Sequence, residues 1–374
     1  MAASSSQIAL TPPAETAEET ILLPGQSPQG EYILAVLVKR SYSIQPRKRC
    51  VRLEPAAKLV KGDKHYGDPR ITPVRFETDL IPYKVATDVV LNGTACAPGG
   101  KAVHALTCSL TVGSHRKDLL VLGDRICRFS EYGAPWFDEP VPFVTMPIRY
   151  DLAYGGVDIY SDPDMSLPYV RNPLGKGFVV KNTRLSVEGL PLPNIEDPRD
   201  TLSPHRLIAG EMADWERQPM PQGFGWYSKT WYPRAPLAGI MPADRPFEEK
   251  IWQAYHQLVP PEQRELHSKT RLPDIDFRYF NGASPELAVP YLQGNEPISL
   301  ENLRPDGPLL FGLPGERPKI VLDIGFGPKE LPPFLHTVMI RSDDMAVDLT
   351  WRGHTTYPGP DWLPLMKKLE IHIC

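Results

Sequence analysis

The stretch YILAVLVKRSYSI, residues 32–44, decides the fold class of this chain. Aliphatic, β-branched and aromatic residues dominate it, and its end alternates between polar and apolar positions, as is typical of a strand in a core. A second run, Ala102–Val112, places Leu106, Cys108 and Leu110 on one face at a period of two. Both runs predict β-strands.

The composition around these runs favours the same architecture. Proline and glycine contribute 43 and 28 of the 374 residues, and both weaken the interiors of regular elements. This argues against a helical bundle and against a doubly wound α/β enzyme, which needs long helices between buried strands. We predict a mainly β (α+β) fold of antiparallel meander sheets with long ordered loops.

Two hairpins are expected within this fold. The Pro98-Gly99-Gly100 turn separates the strand-like run at 87–97 from Ala102–Val112, so we expect these runs to pair and Leu119–Phe129 to continue the meander. Near the end of the chain, the segments on either side of Ser342-Asp343-Asp344 predict the second hairpin.

One prominent helix is predicted at Phe247–Leu258. Ile251, Trp252, Tyr255 and Leu258 recur there at helical spacing, and Pro246 stands at the start.

The chain divides into three segments. Residues 1–29 are rich in Ser, Thr, Glu and Pro and predict a flexible N-terminal arm. We expect a β-rich domain at 30–315, with the helix inserted near 241–270, and a C-terminal β extension at 316–374 packed on the same body. The length alone leaves one body or two lobes open.

Charge and hydropathy narrow the class of partner. The formal net charge is −4, so no global positive field attracts nucleic acid. The sequence has no run of apolar residues long enough to span a membrane and no basic, then apolar, leader. We therefore expect a cytoplasmic protein with no nucleic-acid or membrane partner. The five cysteines form no C-x-x-C pair, which predicts reduced thiols, with Cys96 and Cys108 buried.

No catalytic pattern stands out. His65, Asp63, Asp68 and Asp79 match no metal-binding spacing, and phosphate-loop and nucleophile-elbow motifs are missing. We predict a protein that is not an enzyme and holds no metal or cofactor. A carbohydrate-active β-protein hydrolase that uses two distant carboxylates stays open as the alternative, because such acids meet only in space.

Four aromatic residues are the candidate partner contacts. Trp226 and Trp231 lie in the loop-rich middle, and Trp252 and Tyr255 lie on the predicted helix. Tryptophan and tyrosine on rigid elements often dominate binding surfaces, although the same residues also fill cores.

A series of short motifs occurs in a fixed order along the chain. The motifs are Gly67-Asp68, Thr78-Asp79-Leu80, Pro82-Tyr83-Lys84, Thr87-Asp88-Val89, Asn92-Gly93, Ala97-Pro98-Gly99, Gly123-Asp124-Arg125, Met146-Pro147-Ile148-Arg149-Tyr150, Ala153-Tyr154-Gly155-Gly156, Asn172-Pro173-Leu174-Gly175-Lys176-Gly177-Phe178, Leu192-Pro193-Asn194-Ile195-Glu196-Asp197-Pro198, Gly223-Phe224-Gly225, Trp231-Tyr232-Pro233-Arg234, Asp276-Phe277-Arg278-Tyr279-Phe280-Asn281-Gly282-Ala283 and Leu313-Pro314-Gly315. In this order they resemble the domain of unknown function 2169 (DUF2169) family over roughly residues 30 to 315, and the tail from Val347 to Trp351-Arg352 resembles the family's C-terminal extension.

The resemblance implies a function that composition and spacing do not show. Members of this family are similar in context to adaptor-chaperones of bacterial type VI secretion, which bind an effector and help load it onto the VgrG or PAAR spike. The resemblance carries over no catalytic residue.

Five motif residues are expected to form scaffold. Asp79, Lys84 and Asp88 lie at strand ends, where ion pairs can fix loops, and Gly155 and Gly156 permit backbone turns. The chain departs from the family pattern at 237–271. The predicted helix there is a plausible recognition surface.

Overall fold

In a computed structural model of the chain, the described residues are 19–162, 164, 166–181, 187–210, 217–238, 275–325, 327–358 and 370–373. Most regular elements in these ranges are strands. The strands are β1 (Glu19–Gln26), β2 (Tyr32–Ser43), β3 (Val51–Leu53), β4 (Lys64–His65), β5 (Val74–Phe76), β6 (Thr87–Asn92), β7 (Thr94–Cys96), β8 (Ala105–Val112), β9 (His115–Leu122), β10 (Cys127–Phe129), β11 (Pro135–Phe137), β12 (Thr145–Pro147), β13 (Tyr154–Gly155), β14 (Val157–Asp158), β15 (Leu167–Pro168), β16 (Lys176–Gly177), β17 (Ile195–Glu196), β18 (Ala288–Val289), β19 (Pro297–Glu301), β20 (Leu309–Gly312), β21 (Ile320–Asp323), β22 (Lys329–Leu331), β23 (Phe334–Arg341), β24 (Ala346–Thr356) and β25 (Glu370–Ile373). Short 3-10 helices occur at Pro98–Gly100, Tyr150–Leu152, Pro204–Arg206, Ala235–Ala238 and Phe277–Phe280.

The largest sheet has seven strands and contains β2, which covers nearly all of the run at residues 32–44. Its order is β1-β2-β24-β23-β6-β18, and β3 also pairs with β2. β2 and β24 are antiparallel over their full length, from the pair Ile33 and Thr356 to the pair Ser43 and Ala346. Because β2 is central and covered on both faces, nearly all its residues are buried.

A five-stranded sheet, ordered β17-β9-β8-β19-β20, packs against the large one. The buried residues of β8 predicted from its period-two pattern, Leu106, Cys108 and Leu110, belong to the same hydrophobic core as Leu34 and Val338 of the large sheet. The described ranges therefore share one main core between sheets. A smaller core, which includes Tyr154, Tyr169 and Phe178, underlies the loop-rich middle.

The mainly β, antiparallel fold class is confirmed, and so is the C-terminal hairpin of β23 and β24. The hairpin expected between the run at 87–97 and Ala102–Val112 is wrong. β6 instead pairs in parallel with β23, and β8 pairs with β9 and β19. The meander expected through Leu119–Phe129 is confirmed as far as Leu122, since β9 pairs antiparallel with β8. It is wrong beyond that residue, because Cys127–Phe129 form β10, which pairs with β11. The parallel pairing to a strand some 250 residues away is invisible to local periodicity.

Two of the predicted segment boundaries need correction. The flexible arm expected at 1–29 is wrong for Glu19–Gln26, which form β1 and pair with β2 along eight residues. The segment predicted as a C-terminal extension supplies β23 and β24, which lie inside the large sheet, so the chain is not divided at 315.

The predicted helix at Phe247–Leu258 lies outside the described residues, as does Cys374. Cys50, Cys96, Cys108 and Cys127 are free, buried thiols, as expected for Cys96 and Cys108. None of the helices in the described ranges has both the length and the apolar character needed to cross a membrane.

Candidate functional site

The predicted scaffold residue Asp79 fastens a loop to the large sheet. Its carboxylate pairs with the Lys39 ammonium at 2.8 Å and accepts hydrogen bonds from the Val60 N–H at 2.8 Å and the Thr350 hydroxyl at 3.0 Å. Lys39 and Thr350 belong to β2 and β24, so one carboxylate connects two strands and the loop that precedes β4.

Lys84 and Asp88 form a second, deeper fastening point. The Lys84 ammonium lies 2.6 Å from the Asp88 carboxylate, and both side chains are buried. The carboxylate also accepts hydrogen bonds from the Asn281 amide and from the N–H groups of Gly282 and Ala283, each at 3.1 Å. The pair therefore ties β6 to the chain that follows the 3-10 helix Phe277–Phe280.

Gly155 and Gly156 have positive φ angles of 145° and 107°. A Cβ at Gly155 would collide with the backbone oxygen of Asn172, and one at Gly156 would stand 2.7 Å from that of Gly175. Both contacts place these glycines in the scaffold.

Trp226 and Trp231 are 5% and 4% exposed and lie in the main core. The prediction that they contact a partner is wrong for the folded chain, because close packing leaves their rings no free face. The ring of Trp226 lies 5.1 Å from the Lys84 ammonium, and Trp231 packs edge-on against Tyr150. Trp252 and Tyr255 lie outside the described residues, so their partner role stays a prediction.

A partly exposed aromatic surface lies at the end of the large sheet where β1 ends, β2 begins and β24 ends. It is a groove of about 520 Å³, which we call the aromatic groove. Its principal lining residues are Tyr32, Tyr83, Ile275, Phe277, Phe280 and Tyr357. The other described residues of the lining are Pro24, Gly25, Gln26 and Pro82, so no charged side chain is among the described residues that line the groove.

The rings of the groove support one another. The centroids of Tyr83 and Phe277 are 5.8 Å apart, those of Phe277 and Phe280 5.4 Å, and both pairs are edge-to-face. Tyr32 and Ile275 at its mouth are 37% and 42% exposed. Edge-to-face packing favours fixed ring positions, so the groove presents a preformed apolar surface.

A buried cation lies directly behind the aromatic groove. The guanidinium of Arg352 on β24 is fully buried and lies 3.9 Å from the ring centroid of Tyr83 and 4.9 Å from that of Phe334. Aromatic faces attract a cation, so Arg352 holds the Tyr83 ring from behind.

Two histidines share this buried region. Burial, with the charges of Arg352 and Lys84, puts the pKa of His336 well below its ordinary value. The neutral His336 ring accepts a hydrogen bond from the Lys84 N–H through Nε2 at 3.4 Å. Burial, then Arg352 and Lys329, lowers the pKa of His354 to about 4.

His354 gives a testable pH dependence. Its folded pKa of about 4 lies below the ordinary value of 6.5, so the unfolded chain binds the proton more tightly and stability falls as the pH drops between these values. The loss is at most about 3 kcal/mol. Urea unfolding measured across this range should show a flatter pH profile for His354→Gln than for the natural sequence. The exposed His205→Gln serves as control, and equal slopes for all three proteins would contradict the prediction.

A separate cleft of about 650 Å³ is lined in part by Lys117, Asp197, Asp200 and Glu286. The buried Lys117 ammonium lies 3.2 Å from the Glu286 carboxylate. Burial, the largest single influence, raises the pKa of Glu286, but the charge of Lys117 and the hydrogen bonds that the carboxylate accepts together leave the pKa below its ordinary value.

Asp197 is also held in its charged form. The hydrogen bond from Arg199 lowers the pKa of its carboxyl group. A glycosidase of the alternative class needs one carboxylic acid that stays protonated near neutral pH. Asp197 and Glu286 are shifted in the opposite direction, so their chemistry is that of fixed ion pairs. Within the described residues, no group of three or more His, Cys, Asp or Glu side chains is placed to hold a metal ion.

Sequence reasoning missed the residues of the aromatic groove. Two of the quoted motifs, Pro82-Tyr83-Lys84 and the one that begins at Asp276, contain Pro82, Tyr83, Phe277 and Phe280. Their shared signal was an aromatic residue beside a charged scaffold residue. Nothing in either motif shows that these four residues lie together in the fold.

The described chain is thus a mainly β protein of antiparallel sheets with a preformed aromatic groove at one end of its largest sheet. It belongs to the family described as "Uncharacterized protein conserved in bacteria (DUF2169)", whose model matches residues 29–352. The match continues beyond the span of roughly 30 to 315 recognised from the motifs and includes β23 and most of β24 up to Arg352. No curated protein and no solved structure matches the chain.

Proposed function

We propose that this protein is an adaptor-chaperone that binds a type VI secretion effector in the cytoplasm and helps load it onto a VgrG or PAAR spike protein. Membership of the DUF2169 family and the context that its resemblance implies support the role. The observation that carries the proposal is the aromatic groove with its uncharged lining.

An uncharged aromatic groove suits an apolar segment of a cargo protein. Such a segment promotes aggregation when it is exposed to water. Covering it with Tyr83, Phe277 and Phe280 removes it from water, which is the physical basis of a chaperone effect. The rings are already held by their neighbours, so binding costs little additional ordering.

The mouth of the groove offers a direct test. We expect the double variant Tyr32→Lys/Ile275→Lys to fold normally, since both side chains are partly exposed, but to lose the cargo because ammonium groups enter the apolar contact. The experiment co-expresses this protein with the effector encoded beside it. Soluble effector and co-purification are measured, and we expect both to fall about tenfold, as for loss of a binding hot spot.

The matched control is Ile71→Lys/Tyr132→Lys, which makes the same chemical change at two exposed positions away from the groove. This control should retain the effector, and both variants should melt like the natural protein. An effector that stays equally soluble and equally bound with the groove variant would refute the groove as its binding site. An effector that is soluble and secreted without this protein would refute the chaperone role itself.

A further inference from the structure

A second groove lies on the open face and edge of the five-stranded sheet. It has a volume of about 840 Å³, and we call it the basic groove. One wall is formed by Arg47, Lys48 and Arg49, and the sheet face contributes Thr111, Ser299 and Leu310.

The backbone holds the basic wall in place. The N–H of Gly312 donates to the carbonyl of Lys48 at 2.9 Å, and the N–H of Cys50 donates to the carbonyl of Gly312 at 2.9 Å. The N–H of Arg47 also donates to the carbonyl of Leu310. The segment from Arg47 to Cys50 therefore runs along the edge of β20 and is hydrogen-bonded to it. The side chains of Arg47, Lys48 and Arg49 therefore project from a backbone that is hydrogen-bonded to β20.

Arg47 also adopts a backbone conformation that L-residues avoid. Its φ angle is +60°, in the left-handed region, which costs a non-glycine residue about 1–2 kcal/mol. Residues held in such conformations cluster at binding sites, where the surrounding structure enforces the strain. Here Arg47 lies in a turn closed by the hydrogen bond from the Lys48 N–H to the Gln45 carbonyl at 3.0 Å, and its own N–H donates to Leu310.

The charge of the groove is unbalanced. Arg47, Lys48 and Arg49 are exposed, and no carboxylate side chain lines the groove in the part of the chain that the structure describes. The Arg49 guanidinium donates to the Leu313 carbonyl at 3.4 Å, which leaves Arg47 and Lys48 to face the open side. At the far end, the Glu296 carboxylate is occupied by the N–H groups of residues 293–295.

The floor of the groove suits an extended chain. Thr111, Ser299 and Gly312 are small, so a backbone can approach the sheet closely, and Leu310 is 46% exposed and offers one apolar contact. Nucleic acid fits less well, because base stacking needs exposed aromatic faces. Among the described lining residues Phe311 alone carries an aromatic ring, and it is 4% exposed. The protein also carries a net charge of −4.

We propose that the basic groove binds an acidic, extended segment of a partner protein. The carboxylates of that segment pair with Arg47 and Lys48, and an apolar side chain packs on Leu310. This inference does not depend on the type VI role, since the surface is separate from the aromatic groove and can be tested with a synthetic peptide alone.

The test uses three fluorescent probes with the full-length protein. They are a short peptide that alternates Glu with Val or Leu, the same peptide with Gln for Glu, and a single-stranded DNA of similar length. We expect the acidic peptide to bind, the Gln peptide to bind about tenfold more weakly, and the affinity for the acidic peptide to fall as salt is raised. Arg47→Glu/Lys48→Glu should weaken the acidic peptide by about tenfold or more, and Leu310→Ala should weaken it by a smaller factor.

The matched control is Arg70→Glu/Lys101→Glu, which makes the same change of net charge at two exposed positions outside the groove. It should keep the affinity of the natural protein. An equal loss in this control would show attraction to overall charge and would overturn the proposal. DNA that binds as tightly as the peptide and competes with it would overturn it too. If the reversal variant does not fold, Arg47→Gln/Lys48→Gln replaces it, with unchanged affinity as the refuting result.

Discussion

Asp88→Ala is expected to destabilise this protein by about 3–5 kcal/mol, because it leaves a buried ammonium without its partner. The Asp88 carboxylate is fully buried, pairs with Lys84 at 2.6 Å and accepts three further hydrogen bonds from residues 281–283. Its removal leaves the buried N–H groups of Gly282 and Ala283 without this acceptor, and the Lys84 ammonium keeps only the uncharged Thr337 hydroxyl at 3.1 Å. The free energy of unfolding in urea and the soluble yield measure the loss.

A double variant separates the stability lost because the buried Lys84 ammonium has no counter-ion from the stability lost through poorer packing. Lys84→Met/Asp88→Ala removes both charges, and we expect it to be more stable than Asp88→Ala alone. As an exposed control, Asp68→Ala breaks the surface pair with Arg70, and we expect no measurable change. If Asp88→Ala unfolds at the same urea concentration as the natural protein, the Lys84–Asp88 pair is not the anchor of this region.

Gly155→Ala is the second change with a large expected effect. The new Cβ would collide with the backbone oxygen of Asn172, at a φ of 145° that already disfavours a side chain. The Asn172 side chain is itself bonded to the carbonyls of Tyr150 and Tyr154 at 2.7 and 3.0 Å, so it cannot move away without breaking these bonds. We expect a loss of about 3 kcal/mol or more, since strain and broken hydrogen bonds add.

Gly133→Ala is the matched control for the cost of the positive φ angle alone. Gly133 has a φ of 81° in the connection between β10 and β11, and an added Cβ meets no atom within 4 Å. Alanine there should cost only about 1 kcal/mol, the price of the left-handed conformation. Thermal and urea unfolding of both variants measure the difference. If the two glycines lost the same stability, the collision with Asn172 would have no part in the effect.

These fastening points explain how the aromatic groove is built. Asp88 ties down the chain just after Phe280, and Tyr83 stands beside Lys84 while Arg352 holds its ring from behind. The groove and the ion pairs therefore belong to one structural unit. A variant that breaks the Lys84–Asp88 pair should disturb cargo binding as well as stability, so the proposed groove variants at Tyr32 and Ile275 leave that pair intact.

The sequence alone determined the fold class and much of the scaffold. Period-two runs such as Leu106, Cys108 and Leu110 are buried as expected, and a high content of proline and glycine does accompany short strands and long loops. The scaffold assignment of Asp79, Lys84 and Asp88 rested on their position at strand ends, and their contacts agree with it. These features are local, because burial and turn formation leave a mark on neighbouring residues.

Only the tertiary structure decided which strands pair and which aromatic residues face the solvent. Backbone hydrogen bonds are the same for every sequence, so nothing local indicated that β6 pairs with β23 rather than with β8. Likewise Trp226 and Trp231 are core residues, whereas Tyr32, Tyr83 and Phe277, far apart in the chain, meet in one groove. Whether a side chain lies in the core or forms part of a surface depends on its neighbours in space. Folding brings those neighbours together from distant parts of the sequence.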